Sequence, residues 1–202
     1  KPEDLELKTD KEKVKANCIG LILDQNLTDA FTEELKSENG IVQPDIDRDI
    51  LPIANVRRHG QSDIGSGFVK GFGMKHGAFA ESVAHDTHNI IVMGTNFEDM
   101  AVAVNRLIEI GGGQDVVKNG EVAAEIPYPV CGLLSDLPAE ELAEAKKKVN
   151  NMIHEMGSPI TIPFMFLSFI CLAAIPLYAV TDVGFIDVLK QEVISPVIEV
   201  VE

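Results

Sequence analysis

Two short apolar runs enclose a polar string in the sequence GAFAESVAHDTHNIIVMG, residues 77–94. Short apolar runs with polar or glycine-containing ends are typical of buried strands, so we predict strands at 77–84 and 90–94. Binding residues concentrate in loops that a rigid scaffold holds, which makes the intervening string a candidate functional loop. Its four candidate residues are His85, Asp86, His88 and Asn89.

The same polar string has three other interpretations. Asp86 and Asn89 are residue types that hydrogen-bond nearby backbone groups, so the string is also compatible with an ordinary solvated turn. His85 and His88, with Asp86, are of types that bind metals, although the chain has neither an H-x-H nor an H-E-x-x-H motif. Ser82, His85 and Asp86 have the residue types of a catalytic triad, but they lie too close in sequence to align as one.

Upstream of this stretch, the sequence predicts further strands and a close-packed segment. Apolar runs at 14–23 and 49–56 predict strands, whereas 28–49 is polar, acidic and rich in turn residues and is predicted to be a connection. Residues 60–77 contain six glycines, which indicates a backbone that turns tightly or lies against a neighbouring segment. Residues 1–13 are predicted to form an arm, because they mix charges without an apolar run.

Two helices are predicted downstream of the polar string. The first lies between Thr95 and the three glycines at 111–113, because Thr95 and Glu98 have the spacing of a capping box and glycine commonly ends a helix. The second spans 138–156, where acidic residues precede lysines, as the helix dipole favours. The stripes predicted to face the core are Ala101, Val104, Leu107 and Ile108 in the first helix and Leu142, Ala145, Val149, Ile153 and Met156 in the second.

A hairpin is predicted between these helices. Asn119 and Gly120 tolerate the positive φ angles that a tight turn requires between strands at 114–117 and 121–126. With this hairpin, strands outnumber helices and alternate with them irregularly. The predicted fold class for residues 1–202 is therefore α+β, a single domain with a mixed, largely antiparallel sheet and packed helices.

Composition excludes several functional classes. The 202 residues include 32 acidic and 17 basic side chains, and the net charge of -15 argues against a nucleic-acid partner. Cys18, Cys131 and Cys171 are widely spaced, so they predict no disulfide framework and a reducing, cytoplasmic compartment. The uncharged run at 160–180 is long enough to span a membrane, but its prolines favour two or three buried core segments instead.

Several ordered motifs over residues 15–190 resemble those of one protein family. The motifs are RRHG at 57–60, GFVKGFG at 67–73, the stretch at 77–94, NRLIEIGGG at 105–113, PYPVCGLLS at 127–135 and PFMFLSF at 163–169. In these motifs the chain resembles the C-terminal domain of bacterial and archaeal adenine deaminases. Their number and order make coincidence an insufficient explanation.

The resemblance implies a metal-dependent hydrolase that converts adenine and water to hypoxanthine and ammonia, in adenine catabolism and purine salvage. It also implies a preceding barrel domain that binds manganese or iron through an H-x-H pair and further ligands. Because this chain has no H-x-H pair, we expect it to bind no metal and to be inactive on its own. The expected partners are the barrel, adenine and further copies of the same enzyme, with no membrane contact.

Within such an enzyme, the resemblance implies a role for the polar string. His85, Asp86 and His88 are predicted to be catalytic in supporting roles, and His59 and Asn89 to bind substrate, so that together they cover or orient the purine at the mouth of the barrel. The alternative is a structural or dimerisation domain without catalytic residues. In either case, part of the run at 160–180 is expected to be an exposed apolar patch in this chain.

Overall fold

Long antiparallel strand pairing dominates the fold. The computed structural model describes residues 1–23, 25, 27–60 and 62–198. Gln61, within the predicted glycine-rich segment, and residues 199–202, within the predicted domain, lie outside the described residues. The strands are β1 Lys13–Leu21, β2 Thr28–Glu38, β3 Ile41–Val42, β4 Ile50–Val56, β5 Ile64–Lys70, β6 Ala78–Glu81, β7 Ile90–Gly94, β8 Gly113–Lys118, β9 Glu121–Pro127, β10 Tyr178–Thr181, β11 Gly184–Asp187, β12 Glu192–Ile194 and β13 Val197–Ile198. The helices are α1 Phe97–Ile110, α2 Ala139–Glu155 and α3 Pro163–Ile170, with a short 3-10 helix at Pro2–Asp4.

These strands form two sheets. The larger sheet has the order β3-β2-β1-β5-β4-β7-β6-β8-β9, and β13 also pairs with β1. Its β1–β5 pair is parallel, and the other described pairs are antiparallel. The smaller sheet, β10-β11-β12, is antiparallel. The predicted α+β class with a mixed, largely antiparallel sheet is therefore confirmed.

The prediction that 28–49 is a connection is wrong. Strand β2 pairs with β1 from Thr28 to Lys36 and continues into β3. Leu35 in β2 is buried, whereas the side chains that alternate along the other face for most of the strand are exposed, namely Thr32, Glu34, Lys36 and Glu38. A strand with one solvated face can have the polar composition of a loop, which explains the error.

The glycine-rich segment lies against the smaller sheet, as its composition predicts. Gly65 and Gly67 belong to β5, and a β-carbon at Gly67 would come within 2.5 Å of the Phe185 ring. A β-carbon at Gly65 would meet the backbone at Thr181. Glycine therefore allows β5 and the smaller sheet to approach closely.

Helix α1 begins differently from the prediction. The N-cap is Asn96, whose side-chain oxygen accepts a 2.7 Å hydrogen bond from the Asp99 amide, whereas Thr95 Oγ1 donates to the Gly77 carbonyl. Ala101, Val104 and Leu107 are buried as predicted, but Ile108 is 57% exposed, so its place in the buried stripe is wrong. The N-cap lies one residue later than predicted, and Gly111 ends the helix with φ of 80°, as predicted.

Helices α1 and α2 pack on opposite faces of the sheet. Alternation along β6 turns Ala78 and Ala80 towards α1, and turns Phe79 towards the buried stripe of α2 and towards α3. Glu81 has the same parity as Phe79, so its carboxyl group also lies on the side of α2 and α3. The stripe of α2 consists of buried Val149 and Ile153 with the partly buried Leu142 and Ala145, and buried Met156 follows at the C-cap.

The apolar run at 160–180 divides into core segments, as predicted. It forms α3, then turns, and then enters β10, with Phe164 and Leu167 buried. Ile162 and Met165 are 43% and 50% exposed, so two apolar side chains of this run reach the surface, and the apolar patch stays a prediction. Among the described residues, no helix combines the length and the apolar character needed to cross a membrane.

Candidate functional site

The polar string at 85–89 is part of the loop at 82–89, which joins β6 to β7, because β6 ends at Glu81, three residues before its predicted end. The amide of His85 donates a 3.1 Å hydrogen bond to the Ser168 carbonyl in α3. Ser82 is buried, and its hydroxyl donates to the Gly132 carbonyl and accepts from the Gly113 amide. The first half of the loop is thus held by elements distant in sequence, which is the rigid support that a functional loop requires.

Arg58 clamps the second half of this loop. Its guanidinium donates to the carbonyl oxygens of His88 at 3.1 Å, Cys131 at 2.8 Å and Gly111 at 3.3 Å. Its own amide donates to the side-chain oxygen of Asn89. Burial lowers the pKa of the Arg58 guanidinium below its ordinary value. Arg58 therefore acts on the backbone of the loop, in contrast to Arg57, which forms a surface ion pair with Asp63 at 2.8 Å.

The loop residues predicted from sequence occupy different environments. His85 and His88 are half-buried, with ring centroids 5.9 Å apart, and Asp86 is exposed. Asn89 is buried, and its side-chain amide also donates to the Thr87 hydroxyl at 3.0 Å. The Asn89 side chain thus links the backbone of Arg58 to the Thr87 side chain inside the loop.

Two neighbouring cavities border the loop. The histidine cavity, of about 490 Å³, is lined by His59, His88, Arg58 and Cys131, among others. The glutamate cavity, of about 440 Å³, is lined by His85 and by residues of β6, β8, α2 and α3. The structure therefore brings His59 and His88 together and places His85 in the adjoining cavity.

A hydrogen-bonded network of polar side chains borders the glutamate cavity, and the sequence analysis did not predict it. Glu81 lies opposite Gln114 in the β6–β8 register, and its Oε2 accepts a 2.8 Å hydrogen bond from Gln114 Nε2. Lys146 Nζ in α2 donates to Gln114 Oε1 and to Tyr128 Oη, both at 2.6 Å. The available signal was a single carboxylate in the apolar strand AFAE, on the same face as Phe79.

Burial shifts the pKa values of three side chains in this hydrogen-bonded network. Glu81 is 2% exposed, and burial raises its pKa from 4.5 to about 8. Burial likewise lowers the pKa of Lys146 and raises that of Tyr128. Glu81 Oε1 has no hydrogen-bond partner within the described part of the chain. At neutral pH the site thus holds a largely neutral carboxyl group beside a partly desolvated ammonium group.

The residues of the loop and of the two cavities do not fit a metal centre. Within the described ranges, no three His, Cys, Asp or Glu side chains lie close enough to share a metal ion. His85, His88 and Asp86 do not converge on one point, because the two rings belong to different cavities and the carboxylate is exposed.

The chain is similar to known proteins over most of its length. The family model described as the adenine deaminase C-terminal domain matches residues 25–192. Adenine deaminase 1 of Carboxydothermus hydrogenoformans is 48% identical over 198 residues, which is 96% of this chain and 33% of that protein. The adenine deaminase of Brucella melitensis is 44% identical (90% of this chain, 31% of that protein), and that of Methanococcoides burtonii is 39% identical (98% and 35%). The chain thus spans about a third of the length of these relatives.

Proposed function

The chain belongs to the adenine deaminase C-terminal domain family, and from this membership we propose that it is part of a metal-dependent adenine deaminase, which converts adenine and water to hypoxanthine and ammonia. Its proposed role is to cover or complete the active site of a metal-binding barrel in the same enzyme. The observation that carries this proposal is the loop at 82–89, which is clamped from both sides and borders two cavities.

The proposed site uses the loop as a positioned set of hydrogen-bonding groups. His59 and His88 line the histidine cavity, and an imidazole nitrogen can donate to or accept from the nitrogens of a purine. His85 borders the second cavity, and Asp86 provides an exposed carboxylate between the two histidines. Arg58 and Asn89 keep the loop backbone in place, so that these groups meet the purine in a defined orientation.

We assign the metal, manganese or iron, to the barrel, where it would supply hydroxide for attack on the purine. The described residues of this chain are proposed to supply no ligand to that metal, because they do not fit a metal centre. The enzyme is further proposed to act in purine salvage in the cytoplasm, as a homo-oligomer without nucleic-acid or membrane partners. The acidic composition supports the exclusion of nucleic acid, since phosphate binding requires clustered Lys and Arg.

The test is alanine substitution of the loop histidines in the full-length enzyme. His85→Ala and His88→Ala are each expected to lower turnover by about tenfold or more, the scale of a lost positioning hydrogen bond, with unchanged circular dichroism. His76→Ala is the matched control, because His76 is exposed and precedes β6, at the other end of that strand from the loop. If both loop variants keep the turnover of the control, the proposed role of the loop is wrong.

A structural or dimerisation domain is the second candidate function. It is favoured by the exposed apolar side chains of Ile162 and Met165 at α3, whereas Phe164 is buried in the core. Met165→Glu should then weaken association, measured by analytical ultracentrifugation, while the histidine variants leave turnover unchanged. The Leu189→Glu variant, at another exposed apolar position, is the control.

A further inference from the structure

The glutamate cavity combines aromatic walls with a few polar groups. Phe164 and Phe169 line it beside the ring of His85, which lies 4.9 Å from the Phe169 ring, centroid to centroid. Glu81 and Lys146 border the same space. Flat, partly apolar ligands with few hydrogen-bonding groups are bound by cavities of this composition.

Glu81 has one hydrogen-bonding position that the described residues leave open. Its Oε2 is bonded to Gln114, while its Oε1 is buried without a partner among the described residues. Buried polar atoms are nearly always hydrogen-bonded in folded proteins, so an unpaired carboxyl oxygen on a residue that lines a cavity marks a position that a ligand can complete.

The surroundings of Glu81 determine what this oxygen offers. The ionisable groups around it are Lys146 from α2, Tyr128 after β9, His85 from the loop and Cys171 after α3. Lys146 is hydrogen-bonded to Gln114 instead of to Glu81, so burial outweighs its charge and raises the pKa of Glu81 to about 8. Since Oε2 accepts the Gln114 N–H, the proton of the neutral carboxyl group is placed on Oε1. Oε1 is therefore a donor that needs an acceptor.

We propose that the glutamate cavity binds an aminopurine, and that Glu81 is a specificity-determining residue which donates a hydrogen bond to an unprotonated ring nitrogen. An aminopurine has such a nitrogen beside its amino group, whereas the corresponding oxopurine has an N–H in that position. An N–H facing the Glu81 O–H sets two donors against each other, which disfavours the oxopurine. This inference rests on the proposed function, because it takes a purine as the ligand.

Calorimetric titration of the 202-residue chain with adenine and with hypoxanthine tests the inference. At neutral pH the chain should bind adenine about tenfold more tightly than hypoxanthine. Glu81→Met keeps the side-chain length but removes the donor, so it should weaken adenine binding about tenfold and abolish the preference. Glu81→Gln keeps an N–H donor and should retain the preference, and Glu144→Gln, on an exposed position of α2, should leave both affinities unchanged.

The inference is overturned if the unmodified chain releases no heat with millimolar adenine, binds both bases equally, or keeps its preference in the Glu81→Met variant. Circular dichroism shows whether that variant folds, and Glu81→Ala provides a second removal of the donor. The binding test of Glu81 and the turnover test of the loop histidines can fail independently of each other. Slower turnover of the histidine variants with no binding of adenine by this chain would refute the inference alone. Binding that depends on Glu81, with unaffected histidine variants, would refute the loop's role alone.

Discussion

Replacing Glu81 by Gln is expected to change how the stability of the chain depends on pH. The pKa of Glu81 is about 8 in the folded chain, compared with an ordinary value of 4.5, because burial disfavours the charged form. A carboxyl group with a raised folded pKa binds its proton more tightly in the folded state than in the unfolded state. The ionisation of Glu81 therefore costs no stability below about pH 4.5, and it destabilises the fold increasingly as the pH rises from there to about 8.

The size of the effect follows from the shift of the pKa. Within this window, each pH unit removes about 1.4 kcal/mol from the free energy of unfolding. Between pH 4.5 and pH 7 the loss through this one group is about 3 kcal/mol, a large part of the roughly 5–15 kcal/mol that stabilises a typical domain. The Glu81→Gln variant has no ionisable group at this position, so its free energy of unfolding does not fall with pH for this reason.

Urea unfolding of both proteins at several pH values measures the difference directly. The free energy of unfolding of Glu81→Gln minus that of the unmodified chain should increase by about 1 kcal/mol per pH unit between about pH 5 and pH 7. Other titrating groups are present in both proteins and cancel in this difference. Glu144→Gln, at an exposed glutamate, should show no such increase. A difference that stays constant with pH would refute the neutral state of Glu81 and the donor role that depends on it.

Three further substitutions test other parts of the structure. Asp115 is fully buried, its pKa is raised, and neither of its oxygens has a partner among the described residues. Asp115→Asn should therefore raise the free energy of unfolding by about 1 kcal/mol or more at about pH 8, and by less near pH 5. A lower free energy of unfolding at both pH values would contradict this. Arg58→Ala removes three charge-assisted hydrogen bonds, so it should lower the free energy of unfolding by about 2–3 kcal/mol and speed hydrogen exchange in the loop. Arg57→Ala, which removes a surface ion pair, should lower it by less than about 1 kcal/mol. Equal effects of the two variants would refute the role of Arg58 in holding the loop. Gly67→Ala would force its new β-carbon into the Phe185 ring and should cost about 1–3 kcal/mol in thermal unfolding; an unchanged midpoint would show that the smaller sheet yields easily.

Much of the fold could be predicted from local patterns. The strands at 90–94 and 50–56 are apolar runs, and the hairpin turn has Asn119 and Gly120 at positive φ, as turn chemistry requires. Strand β2 was missed, because its solvated face carries charges and its partner β1 lies across a loop. Periodicity and turn residues act between near neighbours, so they reveal an element but not the pairing that stabilises it.

The candidate site was predictable to a smaller extent. The loop histidines could be found, because a polar string between two apolar runs is visible in one stretch of sequence. Glu81, Gln114 and Lys146 belong to three separate elements, and only the β6–β8 register and the packing of α2 bring them together. No pattern in the sequence near any one of them indicates the other two.

The sequence by itself determined the family, the α+β class, the two main helices and the polar loop, since motif order, composition and periodicity are properties of the chain. The tertiary structure alone decided which loop residues share a cavity, that Arg58 holds the loop through backbone carbonyls, and that Glu81 lacks one hydrogen-bond partner among the described residues. The physical reason is desolvation. The charge of a carboxyl group depends on what covers it, and the groups that cover Glu81 come from distant parts of the chain.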